Sequence, residues 1–173
     1  CYPWDLSEIY DAPVLLFYKG NLDLLKFPKV AVVGSRSCSS QGAKSVQKVI
    51  QGLENELIVV SGLAKGIDTA AHMAALQNGG RTIAVIGTGL DVFYPRANKR
   101  LQDYIGNHHL VLSDGGSSAN TTNFRFRVAM VVVVQKDNLF ICPYFHIQEK
   151  IMGSQLCARH WSVHSGPVSY THL

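Results

Sequence analysis

Three short stretches of this chain each combine small hydroxyls or glycines with one long cation: Gly34-Ser35-Arg36, Ser61-Gly62 with Lys65 and Gly66, and Gly87-Thr88-Gly89 with Arg96. Phosphate is the ligand such sets suit best, because it accepts several backbone amides and a bidentate guanidinium at once. Phe93 and Tyr94, beside Arg96, add flat surfaces on which a base can stack. A reading without any ligand stands next to this one. Gly62 and Gly66 can simply make a tight turn, and Asp68 can simply cap a helix. Residue types alone leave both readings open.

The elements that would carry these residues follow from periodicity. "KVAVVGS", "ELIVVSG" and "RTIAVIGTG" are short apolar runs that stop at turn-forming residues, Gly34, Ser61-Gly62 and Gly87-Thr88-Gly89. Between the first two, Val46, Val49, Ile50 and Leu53 recur at i, i+3, i+4 and i+7 and predict one apolar helical face. Between the second and third, "DTAAHMAALQNGG" predicts a helix with Asp68 as N-cap and Asn78-Gly79-Gly80 as its stop. Strands apolar on both faces that alternate with helices imply an α/β fold with a parallel sheet and right-handed crossovers. Ligands of such sheets bind beyond the carboxyl ends of the strands, where all three loops would lie.

Several other chemistries fail on spacing. The first loop, "GSRSCS", lacks the later glycines of a dinucleotide fingerprint, and the second strand ends at Ser61 rather than at an acid. "GTGLDV" has two of the glycines, but Tyr94-Pro95 follows where a helix should start. "GLAKGIDT" puts lysine before glycine and is no P-loop, and no G-x-S-x-G elbow surrounds Ser35 or Ser61. His72, one turn after Asp68, reads either as an acid/base residue or as half of a pair that steadies the first helical turn. The four cysteines, Cys1, Cys38, Cys142 and Cys157, form no metal-binding spacing, so neither a metal nor a disulfide framework is expected.

A chain of 173 residues, 47% hydrophobic, can bury a core in one domain. No apolar run approaches the roughly 20 residues that span a bilayer, and no secretory leader is recognisable, so a cytoplasmic location without membrane partners is expected. The net charge of +4 is unevenly placed: −2 over residues 1–28, +5 over 29–100 and +1 over 101–173. The positive excess coincides with the three loops and is compatible with an anionic partner. The start at Cys1 rather than Met suggests a missing beginning.

"VAVVGSRSCSSQG", "VVSGLAKGIDTAAH" and "AVIGTGLDVFYPRAN" closely resemble the three signature segments of the DprA/Smf family of DNA-processing proteins. "YPWDLSEIYDAPVLLFYKGNL" is similar to that family's approach to its central domain, so the resemblance runs from about Tyr2 to Ser113. It implies a Rossmann-like open parallel sheet with flanking helices. It also implies single-stranded DNA as ligand, a homodimer, and RecA recombinase as the partner loaded onto DNA during natural transformation, with no catalytic residues and no cofactor. By the same resemblance Gly34, Ser35, Arg36, Ser61, Gly62, Lys65, Gly66, Gly87, Thr88, Gly89, Tyr94, Arg96 and Asn98 belong to the DNA or phosphate site. Asp68, His72, Asp91 and Pro95 belong to the supporting motif, Asp68 holding its loop.

Residues 1–28 are then an entry segment, 29–113 the Rossmann-like DNA-binding domain, and 114–173 a divergent tail. The family's Phe-Pro-x-Arg-Asn-Arg segment has only a faint echo at Phe124 to Arg127, "VAMVVVVQ" offers one further strand, and the ending "PVSYTHL" looks like adapter read-through. The expectation is an incomplete sheet of three strands with a bare edge that invites aggregation. The alternative function is a nucleotide-processing enzyme like the related Rossmann-like phosphoribohydrolases. Their Pro-Gly-Gly-x-Gly-Thr loop and catalytic Glu are absent here.

Overall fold

The computed structural model describes residues 15–53, 55–113, 115 and 139–141. Its strands are β1 (Phe17–Gly20), β2 (Lys29–Val32), β3 (Ile58–Ser61), β4 (Thr82–Ile86), β5 (Leu110–Ser113) and β6 (Leu139–Ile141). Three helices, α1 (Ser40–Gln51), α2 (Ile67–Gln77) and α3 (Lys99–His108), connect β2 through β5. Short 3-10 turns span Leu22–Lys26 and Arg96–Asn98.

The six strands form one sheet in the order β1-β5-β4-β3-β2-β6. β2, β3, β4 and β5 run parallel in sequence, each βαβ step moving one strand outward. β6 then joins the other side of β2, also parallel, so the strand order reverses at β2. That reversal is where open α/β sheets open a crevice beyond the carboxyl ends of their strands. β1 closes the far side antiparallel to β5, with Phe17 opposite Ser113 and Gly20 opposite Leu110.

This corrects the expected three-strand sheet. Beyond β4 lie β5 (Leu110–Ser113) and then β1, from the supposed entry segment, and beyond β2 lies β6, from the supposed tail. The "VAMVVVVQ" run, the Phe124 to Arg127 echo and "PVSYTHL" lie outside the described residues.

Alternation along the strands sorts the core into two faces. Ala31, Ile58, Val60, Ile83, Val85, Leu110 and Leu112 point one way and pack with Leu24 of the 3-10 turn. Val30, Val32 and Val59 point the other way, against Val46 and Ile50 of α1 and Ile67, Ala71, Ala74 and Ala75 of α2. Further along that second face, Ala84, Ile86 and Val111 meet Leu63 and Ile105 of α3. All three helices thus share one face. Val46 and Ile50 of the predicted stripe are fully buried, while Val49 and Leu53 sit half-buried at its margin. Each buried Val, Ile or Leu contributes about 1.5–3 kcal/mol, and truncating one such as Ile58 to Ala costs about 2–5 kcal/mol.

The helix ends are explained locally. α1 starts at Ser39, whose hydroxyl accepts from Gly42 N at 3.1 Å. α2 ends as predicted at Asn78-Gly79-Gly80. Gly79 takes φ +71°, Gly80 N donates to Ala75 O at 2.8 Å and Gly79 N to Leu76 O at 3.1 Å, the paired bonds of a Schellman stop. Its start differs from the expectation. The cap position is Gly66, which has no side chain to offer, and Asp68 lies inside the first turn.

Candidate nucleic-acid interface

The loops leaving β2 and β3 are locked together. Gly34 faces Ile67 so closely that a Cβ there would lie 2.7 Å from its Cγ1. Gly66, at φ +88°, turns the chain against the Ser35 carbonyl, and Ile67 N donates to that carbonyl at 3.1 Å. Both glycines therefore serve loop-to-loop contact rather than the approach of a ligand. What faces outward is Ser35, Arg36 and Ser37, all exposed, with Ser37 N donating to Ser35 Oγ at 3.1 Å.

Asp68 occupies the space beneath. It is 5% exposed and enclosed near the backbone of Ala64, Gly34 and Gly62. Burial pushes its pKa up to about 6; the polar backbone of those three residues and the Arg36 charge pull the other way without prevailing. The carboxylate is thus an internal group beneath the loops. That is a different task from the N-cap expected of Asp68.

Ser61 leaves the expected ligand set as well. Its hydroxyl is fully buried and donates to Val32 O at 2.6 Å, tying β3 to β2. Behind it, Thr82 Oγ1 donates to Val59 O at 2.7 Å and lies 2.7 Å from Nδ1 of His72. With the Thr82 proton committed to Val59, Nδ1 is the His72 donor. Nε2 then has no hydrogen-bond partner. Burial dominates and lowers the His72 pKa to about 3, so the ring is neutral. A fully enclosed imidazole has no path to a substrate, which removes the acid/base reading of His72.

The loop from β4 to α3 is longer and more open. Thr88 Oγ1 donates to Val92 O at 3.2 Å, and the Thr88 carbonyl accepts from Ser113 Oγ at 2.6 Å, anchoring the loop on β5. Buried Gly89 takes Val92 N on its carbonyl at 3.0 Å, and Gly87 is half-buried. Asn98, assigned to the DNA site by the resemblance, is instead an internal tie. Its Nδ2 donates to Leu63 O at 2.8 Å and to Thr69 Oγ1 at 2.7 Å, both on the neighbouring loop and helix start. Asp91 is exposed, and Pro95 follows Tyr94 through a cis peptide bond. Tyr94 is 65% exposed and Arg96 is exposed beside it.

Of the predicted residues, then, Ser35, Arg36, Lys65, Tyr94 and Arg96 present side chains at the sheet's carboxyl edge, on loops chained by the Ser35–Ile67 and Asn98–Leu63 bonds. Sequence reasoning missed Lys99. It is exposed at the start of α3 with Nζ 4.6 Å from the centre of the Phe93 ring, and its signal was a cation one helical turn beyond Arg96 beside an aromatic. No group of three or more His, Cys, Asp or Glu is placed to hold a metal among the described residues. No helix among them is long and apolar enough to cross a membrane.

Known proteins share this arrangement. The family model described as DNA recombination-mediator protein A matches residues 1–136, beyond the Tyr2 to Ser113 span of the signature segments. The DNA processing protein DprA of Streptococcus pneumoniae is 86% identical over 126 residues, covering 73% of this chain and 45% of that protein. The DprA of Bacillus subtilis is 41% identical over 119 residues, covering 65% of this chain and 39% of its own. The chain therefore spans less than half the length of these relatives. The X-ray structure of the S. pneumoniae protein superposes with a TM-score of 0.74 at 77% identity, covering 82% of this chain and 50% of that one. A structure of Helicobacter pylori DNA processing protein A, described for its single-stranded DNA binding mode, gives 0.71 at 26% identity, covering 82% of this chain and 66% of that one. A match over residues 1–136, the mostly parallel sheet with its helices, and the three signature loops agree: the chain belongs to the DNA recombination-mediator protein A family, that of the DprA and Smf DNA-processing proteins.

Proposed function

We propose that the carboxyl edge of this sheet binds single-stranded DNA. In this reading Arg36, Lys65 and Arg96 hold successive phosphates and Tyr94 lies against a base. The observation that carries it is the division of labour at the edge. The buried polar groups Ser61 and Asn98 are spent on internal bonds and Asp68 is enclosed, while the outward side chains are cations and an aromatic ring. Such a surface reads backbone charge and base faces rather than reacting with them. An exposed Tyr94 favours unpaired bases, since a duplex hides its base faces. The H. pylori relative, with its described single-stranded DNA binding mode, supports the same ligand.

The wider role follows the family. The whole protein acts as a recombination mediator that loads RecA recombinase onto incoming single strands in natural transformation, in the cytoplasm and as a homodimer, without a chemical step of its own. Fluorescence anisotropy with a labelled oligonucleotide over a salt series tests the binding. Salt-sensitive binding without turnover is the expected result. No binding at low salt, or release of free base from a nucleoside monophosphate, overturns it in favour of the phosphoribohydrolase-like alternative. RecA assembly on the same oligonucleotide, with and without the protein, tests the mediator role.

A further inference from the structure

Leu63 is fully buried yet sits at φ +56°, a left-handed conformation that a residue with a Cβ keeps only where its surroundings hold it. Its carbonyl accepts from Asn98 Nδ2 at 2.8 Å. The next carbonyl, that of Ala64, accepts from Thr69 Oγ1 at 2.6 Å and from Thr69 N at 3.1 Å. With its proton committed to Ala64, Thr69 Oγ1 accepts from the same Asn98 Nδ2 at 2.7 Å. A side-chain amide nitrogen carries two protons, one for each of these acceptors. Asn98 therefore fixes both peptide units that lead into Lys65, one directly and one through Thr69. On its own side it closes the 3-10 turn Arg96–Asn98, its N donating to Pro95 O at 2.9 Å. One buried amide thus stands between two exposed cations: Lys65 follows Leu63 by two residues, and Arg96 precedes Asn98 by two.

We infer that Asn98 is a positioning residue for the DNA site: it fixes the loop of Lys65 against the turn of Arg96, so that the two cations grip one phosphodiester backbone as a pair rather than as independent charges. Asn98 acts without touching the DNA, because it is 8% exposed and both of its amide protons are already spent. The gain is one of preorganisation. Lys65 and Arg96 are carried by separate loops, and a ligand that spans them pays to order both loops unless the protein has done so beforehand. Once the loops are joined, losing either cation removes most of the benefit of the other's placement. The inference rests on the proposed DNA reading for its ligand; the tie itself stands on the hydrogen bonds.

The test is a double-mutant cycle on the full chain, read by anisotropy of a labelled oligothymidylate at a temperature where circular dichroism shows every variant folded. With Asn98 present, Lys65→Ala and Arg96→Ala together should weaken binding by at least about threefold less than the product of their separate effects. In an Asn98→Ala background the two effects should simply multiply. Asn98→Asp, which keeps the shape but has no proton to donate, should uncouple them as Ala does. Asn98→Ala alone should lower affinity with the salt slope unchanged, since no phosphate contact is removed. Hydrogen exchange supplies a readout without DNA: Thr69 N–H should exchange faster in Asn98→Ala while β3 and β4 keep their protection. Should Asn98→Ala fail to fold, Thr69→Val, which cuts only the link to Ala64, should reduce the coupling, and coupling left intact there overturns the inference. Coupling that survives in a folded Asn98→Ala, or unchanged exchange at Thr69, overturns it and leaves the DNA reading standing. An unmutated protein that binds no oligonucleotide sinks both, so the two failures are distinguishable.

Discussion

The loop from β3 to α2 and the loop from β4 to α3 are written in the same residues, a small hydroxyl, glycines and a single cation, yet the fold uses them in opposite ways. In the first, Ser61, Gly62, Leu63, Ile67 and Asp68 are all buried, and only Lys65 reaches solvent with its side chain. In the second, Asp91, Val92, Tyr94, Arg96 and Ala97 are exposed, and only Gly89 and Asn98 are buried, Asn98 as the tie back to the first loop. The difference lies in where the hydroxyl and carboxylate groups find partners. Ser61 ends a central strand and bonds inward, and Asp68 is enclosed in the first turn of α2, whereas the second loop is braced by β5 and is long enough to leave its middle free. A polar residue at a strand end becomes a ligand only if the sheet has no prior use for it.

The largest test of that contrast is the pH dependence of stability, because the buried side holds two oppositely perturbed groups. Asp68 has a folded pKa of about 6 against 3.8 unfolded. Its contribution is fully present below about 4 and is lost as pH rises through about 6. His72, lowered from 6.5 to about 3, contributes above 6.5 and loses its contribution as pH falls. His109, lowered by burial and by the charge of His108, acts in the same direction as His72. Between about pH 4 and 6 the Asp68 and His72 slopes oppose each other, so chemical denaturation should give a shallow profile. Asp68→Asn should make stability climb with pH across that window, a change in the difference between its ends of about 3 kcal/mol. Profiles that run parallel for the two proteins would show that Asp68 is not held as described.

Next in size is the cost of emptying the buried side. Asp68→Ala leaves a void beside the backbone of Ala64, Gly34 and Gly62 but also removes a buried charge, and the balance is a loss of about 2 kcal/mol at neutral pH. Thr88→Ala on the open side removes one half-exposed 3.2 Å bond and should stay within about 0.5 kcal/mol. Urea midpoints for both variants check the ratio. Equal losses would erase the distinction between the loops. The tie between them should fall in between: Asn98→Ala forfeits two bonds and strands the Leu63 carbonyl, for about 1–2 kcal/mol.

How much of this was legible in the sequence follows from the range of the interactions. β2, β3 and β4 announced themselves because each is a continuous apolar run buried on both faces, and α1 because its stripe repeats with helical period. The stop of α2 was legible too, since a Gly-Gly after Asn needs no tertiary partner. β1 and β6 were not, being four and three residues long and defined by pairing with β5 and β2 far away in sequence. In the candidate site the cations were legible by their type, and the structure exposes them at the surface. The roles of Ser61 and Asn98 were not, because a side chain that bonds to a carbonyl in a neighbouring element leaves no local signature, and for Asp68 the support of its loop was legible but the burial was not.

The smallest stability effect, and the sharpest for function, belongs to Arg36 and Arg96. Both are exposed, neither is within ion-pair distance of a carboxylate among the described residues, and Arg36 feels Asp68 only through its charge. Changing each to Ala should therefore move unfolding by less than about 0.5 kcal/mol. If both hold phosphates, each change should weaken oligonucleotide binding to a similar degree whatever the base sequence, since phosphate contacts carry no base information. The log–log dependence of affinity on salt should flatten by roughly 0.7 per lost contact on a single strand, and by about twice that in the double variant. Tyr94→Ala should behave differently, lowering affinity with the salt slope unchanged, because stacking releases no counterions. A folded Arg36→Ala/Arg96→Ala protein with full affinity and an unaltered slope would move the DNA away from this edge and leave the open loop, like the buried one, without a ligand.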